Sequence, residues 1–232
     1  MKQNPKTRRG FTLVELLVVI VIIAALAGLT APMVIRQRKK ADQTEAVNNA
    51  RQIGMALFEF ESEYGNFPDK ASGEAVTAAT GETVTDGSAA NDKFRQLIAA
   101  GIAQSEAMFY AKSSYSKKPD GIIAPISSKA LEKGEAGFGI LTKSDGTGLS
   151  AAGNPSRPII AAPFKVAMDG TFDPDFYDSK AVVLKLDNSV SSFTIVKATS
   201  EVLINGKKML ETGEGTVWGT EAPPQWAYPL KK

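Results

Sequence analysis

The sequence predicts an α+β fold in which one long N-terminal helix packs on a small antiparallel β-sheet. Three observations carry this expectation. Residues 11–35 form an apolar stretch, an amphipathic helical pattern follows as far as Tyr64, and the second half of the chain breaks into short apolar or alternating runs separated by Gly, Pro, Asp and Asn. Helix first and strands afterwards is the order of an α+β domain.

The apolar stretch follows a polar, basic start. Lys2, Lys6, Arg8 and Arg9 precede Gly10, and then Phe11-Thr12-Leu13-Val14-Glu15 leads into apolar residues that continue to Ile35. As a helix this stretch rises roughly 37 Å at ~1.5 Å per residue, enough to cross a bilayer with some tilt. Glu15 is its one charged residue. Three readings compete: a secretory signal peptide cut near Ala25-Leu26-Ala27, a permanent membrane anchor, or a segment processed at its own start. The first two leave Glu15 as a liability, because a carboxylate in hydrocarbon costs about 2.5–3.5 kcal/mol even on lenient scales. Loop charge does not fix orientation, since Arg8 and Arg9 flank one end and Arg36, Arg38, Lys39 and Lys40 flank the other.

The segment Arg9-Gly10-Phe11-Thr12-Leu13-Val14-Glu15 resembles the prepilin peptidase site of type IV pilins and type II secretion pseudopilins. The resemblance implies cleavage after Gly10, a methylated mature N-terminus at Phe11, and a Glu15 that pairs with the Phe11 amine of a neighbouring subunit in an apolar filament core. A buried charge alone is heavily penalised, whereas a paired one is tolerated and sets register. Pro32 matches a proline that members of this family often carry. Its ring and missing N–H would disturb the helix near the carbonyl of Gly28 or end it there. The expected layout is a leader peptide at 1–10, a membrane or filament-core half-helix at 11–35, an amphipathic half-helix at 36–68 and a globular head at 69–232.

Beyond the basic turn, Ala46, Ala50, Ile53, Leu57, Phe60 and Tyr64 recur at spacings of four and three, one apolar seam expected to face the chain's own sheet. Glu45, Asn48, Gln52, Glu59 and Glu63 lie opposite. Gly65-Asn66-Phe67-Pro68 supplies a glycine stop with proline following, and with Tyr64 it is similar to the helix end of pseudopilins. Asp69 to Ala90 lacks a clear period and reads as a long exposed loop. A second helix is expected from Asn91 and Asp92, which can cap it, with Phe94, Leu97, Ile98 and Ile102 on its apolar face. Strands are expected at Ile159-Ile160, Phe164–Met168, Ala181–Leu186 and Val190–Val196, and Asn205-Gly206 signals a hairpin.

Composition limits the chemistry. With no cysteine and no histidine, disulfides, thiolate metal sites and histidine-based triads are excluded, and the chain is not expected to be an enzyme. A net charge of +2 gives no reason to expect a nucleic-acid partner. Asp169, Asp173, Asp175 and Asp178 form an oxygen-rich loop that suits Ca²⁺, and some major pseudopilins bind Ca²⁺ in this part of the chain; solvated turn residues are the competing reading.

The family resemblance implies a structural subunit that needs no cofactor to polymerise. Its implied partners are like subunits in a filament, a prepilin peptidase, the membrane, and an inner-membrane assembly platform with its ATPase. The implied location is single-pass in a bacterial inner membrane with the globular part in the periplasm, then a pilus or pseudopilus. The alternative is a membrane-anchored or exported binding protein with a prepilin-like start.

Overall fold

The computed structural model describes residues 11–84 and 87–232, which fall into two units, one ending at Lys39 and the other Lys40–Lys232. Helix α1 (Leu13–Tyr64) contributes to both. In the first unit its apolar side chains from Leu13 to Ile35 are exposed. Pro32 lies inside the helix, as one continuous long helix requires, and the alternative that it ends the helix does not hold. Proline's fixed φ is itself helical and its loss is confined to one backbone hydrogen bond, which flanking turns can absorb. The Thr30 hydroxyl donates to the carbonyls of Leu26 (3.0 Å) and Ala27 (3.4 Å), satisfying polar groups inside this apolar segment.

The second unit is built on a seven-stranded antiparallel sheet. Its strands are β1 (Gly139–Thr142), β2 (Pro158–Ala162), β3 (Lys180–Lys185), β4 (Val190–Val196), β5 (Glu201–Ile204), β6 (Lys207–Lys208) and β7 (Gln225–Ala227), in the order β6-β5-β4-β3-β2-β1-β7. The predicted seam of α1 packs here: Ala46, Ala50, Ile53, Leu57 and Phe60 are buried. Gly54 brings the helix closest to the β3–β4 turn, where a Cβ would lie 2.0 Å from Asn188 Oδ1 and 3.1 Å from Leu184 Cδ1. The helix stops where glycine was expected to stop it, with Gly65 at φ +85° and its N–H on the Glu61 carbonyl.

The segment from Asp69 to Ala90 is not one loop. Helix α2 (Lys70–Thr80) opens with Asp69 Oδ1 accepting from the Ser72 N–H and Ser72 Oγ accepting from the Asp69 N–H, both at 2.8 Å. Gly81 closes it at φ +76°. Val76 is its one buried large apolar side chain, so the segment carries almost no helical period to read. Tertiary bonds hold it instead, Gln96 Nε2 to the Asp69 carbonyl and Ser72 Oγ to Gln96 Oε1.

Helix α3 (Ala90–Ala99) starts slightly before the expected caps. Asp92 Oδ2 accepts from the Ala89 N–H, so Asp92 caps from inside the first turn. Asn91 ties the helix to other segments, donating to the Leu131 carbonyl (2.8 Å) and accepting from the Leu230 N–H (2.8 Å). A 3₁₀ turn at Glu106–Phe109 is separate from α3. Phe109 stacks on Phe94 with ring centroids 4.8 Å apart, and Phe109 and Tyr115 are core residues.

Strands β2 to β5 and the hairpin match expectation, with Asn205 and Gly206 at φ +52° and +78°, both left-handed as a two-residue hairpin turn of this kind requires. Residues 164–168 do not form a strand. Only Phe164 bridges, to Phe172, because the chain turns back at once through Lys165 N to Thr171 O and Met168 N to Lys165 O. Strands β1 and β7 were not expected. β1 lies between β2 and β7 and is buried throughout, so it lacks the alternation that marks a half-exposed strand. The C-terminal tail packs on its own sheet: Trp226 and Tyr228 meet the Phe164 ring edge-on at 5.0 and 5.2 Å.

Candidate functional site

The largest exposed apolar surface is α1 from Leu13 to Ile35. No residue of that stretch is buried. Phe11 is 84% exposed, and Leu13, Leu29 and Met33 are all above 60%. Soluble proteins rarely expose a continuous apolar surface of this kind, so it requires a cover, either lipid or other helices. Its length and composition suit a membrane span.

Glu15 sits in the first turn of this helix and is not bare. Its Oε2 accepts from the Thr12 N–H and from Thr12 Oγ1, both at 2.8 Å, while Thr12 Oγ1 accepts from the Glu15 N–H at 3.2 Å. This is a reciprocal capping box, Thr at the cap and Glu three residues on. Thr12 was not singled out in the sequence reading, although Thr-x-x-Glu ahead of an apolar run is a legible signature of a helix start. In the isolated chain the Glu15 carboxylate therefore has local donors, both neutral, and it is exposed and free to exchange them for a cation.

Phe11, Glu15 and Pro32 lie on this one segment, while Gly10 lies outside the described residues. Asp169, Asp173, Asp175 and Asp178 are in the turns after β2, and they are not drawn together. Asp169 Oδ1 accepts from the N–H and hydroxyl of Thr171, and Asp173 Oδ1 accepts from the Asp175 N–H. The Thr171 bonds hold Asp169 below the usual carboxylate range. These are turn-stabilising bonds in which aspartate caps the backbone two residues on.

Among the described residues, the acidic side chains that do converge are Glu106, Asp120 and Glu135, whose oxygens lie within 4.8 Å of one another. Both glutamates are fully buried. Glu106 accepts from the N–H groups of Leu131 and Gly121, and Glu135 from those of Asp120 and Glu132, with Lys117 Nζ 3.3 Å away. Burial, and secondarily the charge of Glu135, pushes the Glu106 carboxyl above its ordinary range against the pull of its N–H donors. The pair organises the loop from Lys117 to Glu135. Nothing in the sequence pattern marks it, since the three residues are far apart along the chain.

Residues 5–31 match the model of the prokaryotic N-terminal methylation motif. The chain is 35% identical over 71 residues to the type II secretion system core protein G of Pectobacterium carotovorum subsp. carotovorum, covering 31% of this chain and 46% of that protein. It is 39% identical over 61 residues to the core protein G of Escherichia coli (strain K12), covering 26% and 42%. It is 38% identical over 68 residues to the type IV major pilin protein PilA of Myxococcus xanthus (strain DK1622), covering 29% and 30%. The chain thus spans less than half the length of these curated relatives. No solved structure matches it.

Proposed function

Taking as premise a chain that carries the prokaryotic N-terminal methylation motif and is homologous to type II secretion pseudopilins and a type IV pilin, we propose that it is the structural subunit of a type IV-type filament. The observation that carries this reading is the exposed apolar half of α1, headed by Phe11 and Glu15. In the precursor, lipid covers that surface. After cleavage behind Gly10, the same surface from neighbouring subunits replaces lipid, and apolar contact is conserved throughout transfer.

Glu15 supplies register. Within the free subunit its carboxylate is held by Thr12. In the filament it exchanges these bonds for the ammonium at a neighbour's Phe11, a charge-assisted contact that is worth more as water is excluded. A helix docked out of step would bury both charges unpaired, so the pair penalises every wrong stagger. The chain acts as a building unit, not an enzyme, and its partners on this reading are like subunits, a prepilin peptidase and an inner-membrane platform with its ATPase. The globular unit faces the periplasm and then the filament exterior.

The proposal covers a secretion pseudopilus and a surface pilus alike, and electron microscopy of cells against a secretion assay separates them. Polymerisation on this reading uses no cofactor. Ca²⁺ at Asp169, Asp173, Asp175 and Asp178 is a subsidiary proposal that would draw on carboxylates already partly engaged in turns, and a thermal shift on chelation tests it.

The test of the main proposal is the mature N-terminus of membrane-extracted protein, read by mass spectrometry. The expected chain begins at Phe11 and is one methyl group heavier. A start at Met1, or one just beyond Ala27, overturns it.

A further inference from the structure

Immediately beyond its apolar half, α1 carries four closely spaced cations, Arg36, Arg38, Lys39 and Lys40. Arg36, Arg38 and Lys40 are exposed and Lys39 is half-buried. None of the four side chains has an ion pair or hydrogen bond among the described residues. The nearest acids along the helix are Asp42 and Glu45. Asp42, at helix-neighbour spacing from Arg38 and Lys39, holds the Lys112 ammonium instead, at 2.8 Å. Glu45 is exposed and lies beyond the i+3 and i+4 spacings that bring helix side chains together with these cations. Arg36 meets like charges at both of those spacings, in Lys39 and Lys40, which disfavours an isolated helix. Anions beside the helix would replace that repulsion with charge-assisted contacts.

The arrangement round the helix says what kind of anion fits. At roughly 100° per residue, Arg36, Arg38, Lys39 and Lys40 leave the axis at about 0°, 200°, 300° and 40°. They form a collar, not a stripe. A protein groove or a single neighbouring helix meets one side of a helix, whereas a layer of lipid headgroups surrounds it. The height agrees. Leu16 to Ile35 rises about 30 Å at ~1.5 Å per residue, the thickness of the hydrocarbon core, and Arg36 to Lys40 adds about 6 Å, the depth of one headgroup layer. Long basic side chains at that level keep their stems in the apolar phase and their charged heads among the phosphates.

We infer that Arg36, Arg38, Lys39 and Lys40 gather anionic phospholipids around the end of the membrane span. A zwitterionic headgroup carries its own cation beside the phosphate, so the collar prefers headgroups with net negative charge. This inference rests on the membrane-inserted stage of the proposed function, yet the two fail separately. A mature chain that starts at Met1 ends the filament reading and leaves the collar in place. A chain that starts at Phe11 but shows no lipid preference ends this inference alone.

The test uses the full chain reconstituted in phosphatidylcholine bilayers with spin-labelled phosphatidylglycerol or spin-labelled phosphatidylcholine as the probe. The motionally restricted fraction in the electron paramagnetic resonance spectrum gives the relative association of each lipid. The parent is expected to prefer phosphatidylglycerol, and the preference should weaken in high salt. Replacing Arg36, Arg38, Lys39 and Lys40 together by Gln, a comparable helix former, should lower it about five-fold, the value of one cation near an anionic surface. Lys2, Lys6, Arg8 and Arg9 at the other end are the same in both chains, so the difference reads the collar. Lys39→Arg with Lys40→Arg should retain the preference, which ties it to charge. The inference is overturned if the parent shows no preference, or if the Gln variant keeps that of the parent. A Gln variant with unchanged lipid preference but no filaments also overturns it, in favour of acidic groups on neighbouring subunits as the partner.

Discussion

Two glutamates with opposite surroundings show what single residues do here. Glu15 is exposed and bonded locally to Thr12, so removing its side chain costs the isolated helix little, one exposed capping bond at its first turn. The consequence in assembly is larger, because the neighbour's terminal ammonium loses its counter-charge in an apolar setting. Glu15→Ala is therefore expected to give a membrane-inserted, correctly processed subunit with few or no filaments. Normal filament yield by electron microscopy would refute the register role. Glu106 is buried and its carboxyl is held above the ordinary glutamate range. A raised folded-state pKa means the folded chain binds the proton more tightly than the unfolded one. The stabilising contribution of that proton is complete below the unfolded value and is lost as pH rises through the folded value. Asp120, Glu135 and Lys117 surround it and modulate the same transition. Glu106→Gln cannot titrate, so as pH rises above the ordinary glutamate range its unfolding free energy should lose less, or gain more, than that of the parent. Parallel pH profiles from denaturant titrations would contradict this. Gln also places an amide hydrogen where Glu106 accepts from Leu131 or Gly121, so the variant should be less stable throughout.

At the scale of elements, α1 has two halves with different requirements. From Lys40 onward its apolar seam is satisfied within the chain, and Gly54 permits the close approach of Asn188. Leu57 is fully buried in that seam, so Leu57→Ala should cost about 2–5 kcal/mol, while Gln52→Ala on the opposite, exposed face should stay within about 0.5 kcal/mol. Denaturant unfolding of both variants checks the pair, and equal effects would mean that the seam is misplaced. The start of α2 illustrates a different kind of element. Its cap is Asp69, whose carboxylate also receives the Gly148 N–H, so one side chain starts a helix and fastens the β1–β2 connection to it. Gly148 itself sits so close to the Phe67 carbonyl that a Cβ would overlap it at 1.9 Å, which leaves glycine as the residue that fits.

Across the whole molecule, an unsatisfied N-terminal surface and a satisfied globular unit coexist in one chain. The globular unit buries its large aromatic residues, Phe60, Phe94, Phe109, Phe138 and Phe164 among them. The N-terminal apolar half buries nothing and needs a partner phase. That contrast is the physical content of the filament proposal, and the mass of the processed N-terminus tests it at this scale.

What the sequence determined by itself was periodic or local. A continuous apolar run, the spacing of the α1 seam, the glycine stop at Gly65 and the Asn205-Gly206 turn all act through neighbours a few residues away, and each is legible without the fold. The α+β class followed from their order. Tertiary structure decided whatever depended on distant partners. β1 has no alternation because neighbours cover both of its faces, and α2 has little period because Asp69 and Gln96 hold it. Phe164–Met168 looked like a strand but turns away after a single bridge. Glu106 with Glu135 is a juxtaposition that only chain closure creates. A carboxylate or an ammonium carries no mark of its burial in the sequence, because burial is set by what the rest of the chain brings next to it.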